Sequence, residues 1–91
     1  MPEVVFKIQL PDGSNHDCYS PSSVVHKYFS AGDKLPNAEF VQKAKESLQI
    51  ASDRVEAKFG FQCTGAMNSL QQIERISGQF GPDEIIEITQ I

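Results

Sequence analysis

The run NAEFVQKAKESLQIASDRVEAKFG, Asn37 to Gly60, reads as one long amphipathic helix, and the remaining elements have to be arranged around it. Advancing about 100° per residue from Phe40 collects Phe40, Val41, Ala44, Leu48, Ala51, Val55 and Phe59 on one arc, which demands a cover. Asn37 after Pro36 is the expected N-cap. Glu39 sits in the first turn, where the helix dipole favours an anion, and Lys58 with Gly60 closes the far end.

Past that helix, Gly60-Phe61 fits a left-handed glycine followed by a hydrophobic residue that packs back on the last turn. Thr64 can then cap a second helix, with Ala66, Met67, Leu70, Ile73, Ile76 and Phe80 on one broad face. Helices joined this tightly are expected to pack antiparallel. Gly78, Gly81 and Pro82 end the second helix. The segment EIIEITQI, Glu84 to Ile91, is a strand rich in β-branched residues, with Ile86 and Ile88 on one side and Ile85 and Ile91 on the other.

Before the long helix, Val4, Phe6, Ile8 and Leu10 alternate with Val5, Lys7 and Gln9, the pattern of a strand with one apolar face. Pro11-Asp12-Gly13-Ser14 follows, and a two-residue turn at Asp-Gly predicts a hairpin with a second strand from Asn15 to Tyr19. That register sets Phe6 opposite Tyr19 on the core side and Cys18 opposite Lys7 on the other, unless a bulge reverses it. Ser20-Pro21 is a cap followed by a proline at the first helical position, and predicts a short helix with Val24, Val25, Tyr28 and Phe29 on its apolar side. Gly32 and Asp33 lead into a loop ending at Pro36.

The expected architecture is α+β over a single domain, residues 1–91: a three-stranded sheet, made of the N-terminal hairpin and the C-terminal strand, with an antiparallel helical hairpin on one face and a short extra helix. The second sheet face, with Val5, Ile85 and Ile91, then needs covering by the short helix or by a second subunit, and a homodimer is expected on that ground.

At 91 residues the chain holds one core, burying roughly 60–65% of its unfolded surface, with a net stability of about 5–10 kcal/mol. Hydrophobic residues at 40% and charged residues at 22% are ordinary for a globular domain. A net charge of −4 and a pI near 5.0 oppose phosphate-tracking nucleic-acid binding. No apolar run reaches the ~20 residues of a bilayer span, and MPEVVFKIQL alternates where a signal peptide is continuously apolar, so the expected location is the cytoplasm, without membrane. Two cysteines are too few for a disulfide framework.

Chemistry-bearing residues are sparse, and none forms a catalytic or cofactor signature. His16, Cys18, His26 and Cys63 are the borderline-soft metal donors, but their spacing matches no zinc motif, and no metal is assigned. Cys18 beside Lys7 would have thiolate character; a lone cysteine is more often a small buried hydrophobe. Glu74 interrupts the apolar arc of the second helix, as either a site acid or an edge residue with a cation or solvent beside it. On the long helix Lys43, Arg54 and Lys58 form a basic edge with Ile50 among them, a solvated face or a protein contact. The candidate interaction set is therefore Lys43, Ile50, Arg54 and Lys58, and the candidate ligand or thiol set is Cys18, Cys63, Arg54 and Glu74.

Three runs, CYSPSSVV at Cys18–Val25, ASDRVEAKFGFQC at Ala51–Cys63 and MNSLQQIE at Met67–Glu74, resemble a family of small bacterial proteins named for a nitrogen-starvation response, and the opening strand with its PDG turn is similar too. The resemblance covers nearly the whole chain. It implies gene clusters with a nitrilase and other enzymes of nitrogen metabolism, and brings no catalytic residues with it. The residues it singles out are Cys18, Tyr19, Ser20, Pro21, Arg54, Gly60, Phe61 and Cys63. The resulting expectation is a non-enzymatic accessory or regulatory protein acting through a protein interface, with a homodimer or a partner from nitrogen metabolism. The rival is a small-molecule or metal-binding protein, possibly enzymatic, built on Cys18, Cys63 and the histidines.

Overall fold

The computed structural model describes residues 3–60 and 64–91, the side chains of Phe59 and Thr64 apart. Four strands, β1 (Val4–Gln9), β2 (Asn15–Ser20), β3 (Lys34–Pro36) and β4 (Ile85–Gln90), form one sheet in the order β2-β1-β4-β3, every pair antiparallel. Two helices, α1 (Asn37–Phe59) and α2 (Thr64–Ser77), complete the α+β fold. The expected three-stranded sheet is thus corrected to four. The segment Lys34–Pro36, read as loop, pairs with β4, and the ladder continues through Ile88 N–H to Asp33 O (2.8 Å) and Gly32 N–H to Ile88 O (2.7 Å). A three-residue strand is too short to show alternation, and its proline is tolerated because the strand lies at the sheet edge.

The hairpin register also differs from expectation. Phe6 faces Cys18, Lys7 faces Asp17 and Val4 faces Ser20. The loop has three residues, Pro11-Asp12-Gly13, closed by Leu10 N–H to Ser14 O (2.7 Å) with Gly13 at φ +90. A glycine in the left-handed region after a turn is the signature of the three-residue bulged hairpin, and the extra residue slips the pairing by one. Cys18 therefore faces inward, at 3% exposure. A second irregularity acts on β4. Ile8 pairs with Ile88 but Lys7 pairs with Gln90, so Thr89 is the extra residue of a bulge. The inward side changes there from even to odd numbers, and Ile91, expected on the outer face, packs against the core instead.

Helix α1 buries Phe40, Ala44, Leu48 and Ala51 as its periodicity predicts, together with Ser47 and Ser52. It ends at Gly60 in the left-handed region (φ +80), whose N–H bonds Glu56 O at 2.7 Å. Phe61 and Cys63, with the Phe61 staple, lie outside the described residues, and so does the Thr64 side-chain cap. Asn37 is not an N-cap: it is the first helical residue, and its Nδ2 donates to Ser77 O (2.8 Å), Phe80 O (3.3 Å) and Gly81 O (3.3 Å). The start of α1 is thus tied to the turn after α2, with Asn37 as a second donor to Ser77 O and Gly81 O, which also accept from Phe80 N–H (3.1 Å) and Glu84 N–H (3.2 Å), and the two helices run antiparallel. On α2, Ala66 and Ile73 are buried, while Met67 stays 43% exposed. Ser69 Oγ donates to Tyr19 O (2.6 Å) and accepts from Tyr19 N–H (3.4 Å), so α2 covers the free edge of β2.

The short helix is a 3-10 turn, Ser23–Lys27, capped by Ser22 rather than Ser20. It packs on α1, on the helical side of the sheet, and delivers Phe29 between Phe6 and Phe40 with ring centroids 5.7 and 5.4 Å apart. The outer face, which it was a candidate to cover, stays open: Val5 is 57% and Ile85 48% exposed.

Candidate functional site

The corner after β2 is built from Cys18-Tyr19-Ser20-Pro21-Ser22. Ser20 Oγ donates to Ser22 O at 2.8 Å, and Ser22 Oγ accepts from Val24 N–H at 3.4 Å, both serines being buried. Serine hydroxyls satisfying nearby backbone groups are what allow so polar a run to be buried. Arg54 reaches this corner from α1, its Nη1 donating to Ser22 Oγ at 3.4 Å. Arg54 therefore ties the long helix to the 3-10 turn, a structural role that its sequence position did not reveal.

Cys18 lies beneath, on the inner side of β2. Burial first, and Asp17 beside it second, push its thiol up to about 12. Lys7 does not lower it, because the register sets Phe6 opposite Cys18 and Asp17 opposite that lysine. A thiol this reluctant to ionise is a packing group at neutral pH. His16 lies two residues before it on the same side of the strand, half-buried, while His26 is exposed on the 3-10 turn. Among the described residues no three His, Cys, Asp or Glu side chains gather as a metal site. Cys63, the second thiol of the candidate set, is outside the described residues, and Glu74 is exposed on α2 while Cys18 is buried on β2.

The four residues of the interaction set lie along α1, each with its own surroundings. Lys43 pairs with Glu39 (3.5 Å), Arg54 turns to Ser22, and Lys58 is exposed near the end of the helix. Ile50 is half-buried and lines an open groove of about 470 Å³ with Tyr28, Gln42, Lys45, Glu46 and Gln49. The groove walls are held by helical pairs one turn apart: Gln42 Nε2 donates to Glu46 Oε1 (3.0 Å) and Gln49 Nε2 to Asp53 Oδ1 (3.1 Å). An apolar floor with a polar rim is the anatomy of a protein contact on a small scale. Ile50 was visible in the sequence as an apolar residue off the core arc. Tyr28 was not, because its periodicity marked it only as part of the short helix's apolar side.

A second depression, about 440 Å³, lies at the hairpin end of the outer sheet face, lined by Gln9, Leu10, Pro11, Gly13, Lys34, Ile85 and Glu87. No helix among the described residues is long and apolar enough to cross a membrane.

Compared with known families, residues 5–91 match the one described as nitrogen starvation-induced protein NitG. Neither the comparison with curated proteins nor that with solved structures gives a match.

Proposed function

The chain belongs to the NitG family of nitrogen starvation-induced proteins, and from that premise we propose that it is a non-enzymatic accessory or regulatory protein of the starvation response, acting through contact with a protein of nitrogen metabolism. The observation that carries this reading is the groove on α1, where Ile50 and Tyr28 present apolar surface inside a rim of Gln42, Lys45, Glu46 and Gln49. A partner side chain seated there gains the burial of both, at about 25 cal/mol per Å² of apolar area. The high pKa of Cys18 supports the same reading, since it favours packing over nucleophilic chemistry at that thiol.

Affinity co-purification from nitrogen-starved cells tests it, comparing the native chain with Ile50→Asp. A stable partner recovered with the native chain and lost with the variant, while thermal unfolding is unchanged, is the expected result. Equal recovery with both, or recovery of the chain alone, would refute the groove as the contact.

A further inference from the structure

The outer face of the sheet is a second surface, independent of the groove. Its side chains alternate with buried ones: Val5 and Lys7 with Phe6 and Ile8 on β1, Ile85 and Glu87 with Ile86 and Ile88 on β4. Asp17 and Tyr19 occupy the same face on β2, and Lys34 on β3. The β1–β4 register sets Glu87 beside Gln9 and Lys7 beside Gln90, so Lys7 and Glu87 lie either side of the centre of the sheet. Val5 precedes Lys7 on β1 as Ile85 precedes Glu87 on β4, and the two strands run in opposite directions. Going outward, Lys7 is flanked by Asp17 and Glu87 by Lys34. The face therefore carries two apolar-charged pairs of opposite sign, disposed symmetrically about its centre. Its four charges cancel, although the chain as a whole carries −4. Among the described residues no ion pair within 4.0 Å engages Lys7, Asp17, Lys34 or Glu87.

From this pattern we infer that the outer sheet face is a self-association surface, covered in solution by the same face of a second copy. An isologous contact requires that if one residue meets another, the second meets the first in the partner. A two-fold axis lying in the interface across the strands, inclined by the usual crossing of packed sheets, sets Lys7 over Glu87 of the other copy and Val5 over its Ile85. Both members of each pair are present in each chain, so the contact closes as a dimer. A partner of strongly acidic or basic character finds no net charge to match here, whereas a second copy sets Lys7 against Glu87 twice over. Four strands at about 4.8 Å and six residues at about 3.3 Å give a face about 19 by 20 Å, the size of a concentration-dependent contact rather than an obligate one.

Sedimentation velocity on the full chain across the micromolar range tests this. Reversible growth toward twice the 10.1 kDa chain mass is expected. Lys7→Glu and Glu87→Lys each set like charges against each other and should weaken dimerisation by about tenfold or more. The double variant, with the charges exchanged, should recover it. Mixing the two single variants is the sharpest arm, because every facing pair in the mixed dimer is again of opposite sign and heterodimers should form where neither variant dimerises alone. Thermal unfolding confirms that each variant is folded. A native chain that stays monomeric at every concentration gives the face to a different partner and overturns the inference. So does a dimer indifferent to both charge reversals, or one dissolved by Ile50→Asp instead.

Discussion

Asn37 performs at the end of α2 the task that a left-handed glycine performs at the end of α1. One amide nitrogen meets three carbonyl oxygens across a gap of some forty positions in sequence, while its Oδ1 is buried without a partner among the described residues. Asn37→Ala should cost about 1–2 kcal/mol in urea denaturation, since Phe80 O loses its donor and Ser77 O and Gly81 O keep only the bonds from Phe80 N–H and Glu84 N–H. Asn37→Asp should cost more near neutral pH, because a carboxylate would face carbonyl oxygens at the negative end of a helix dipole, and part of the loss should return as the pH falls and the group takes up a proton. Cys18 supplies a second test. Its folded pKa, about 12, lies above the ordinary 9.0, so the neutral thiol is the form the fold prefers. Up to pH 9 the thiol is protonated in both states and adds no slope; above it the unfolded chain loses the proton first, and stability falls by about 1.4 kcal/mol per pH unit until the folded thiol ionises too. Parallel denaturation of the native chain and Cys18→Ala between pH 7 and 11 should show that excess slope in the native chain alone.

Hairpin and edge strand show where the elements outran their sequence signals. Pro11-Asp12-Gly13 is compatible with a two-residue turn and with a three-residue bulged one, and local chemistry alone does not separate them. What separates them is the core. The three-residue loop brings Cys18 and Ser20 inward beside Phe6 and Val4, leaving Asp17 and Tyr19 to the outer side. Gly13 pays the conformational cost at φ +90, so Gly13→Ala should destabilise by roughly 1 kcal/mol, with the register kept and Cys18 still protected from thiol reagents in the folded state. The same limit applied to β4. Its alternation was legible up to Ile88, but the bulge at Thr89 turned Ile91 inward, and a bulge leaves no mark in the pattern of apolar residues. Strand β3 left no mark either, being three residues with a proline among them.

Taken as a whole, the molecule is two layers pinned by Phe29, which belongs to neither. It sits between Phe6 of the sheet and Phe40 of α1. Phe29→Ala should cost about 3–5 kcal/mol, against a total of about 5–10 for a domain of this size, and Phe29→Leu distinctly less, both read from chemical denaturation. The helical layer and its apolar arc were legible because 3.6-residue periodicity extends over many turns of α1 and α2. Little of the candidate site was. Arg54, read as part of a basic edge, also reaches the Ser22 corner, a contact 32 positions away that no local pattern encodes.

One consequence of the strand order concerns synthesis. β4 is the last strand to be made, yet it lies between β1 and β3, which are made before either helix. At about 5–20 residues per second, the hairpin and both helices spend seconds on the ribosome with the middle of their sheet missing. During that interval β1 and β3 each hold an unpaired side. The nascent chain therefore stays open to wrong strand pairing, and to chaperones, until Ile86 and Ile88 emerge.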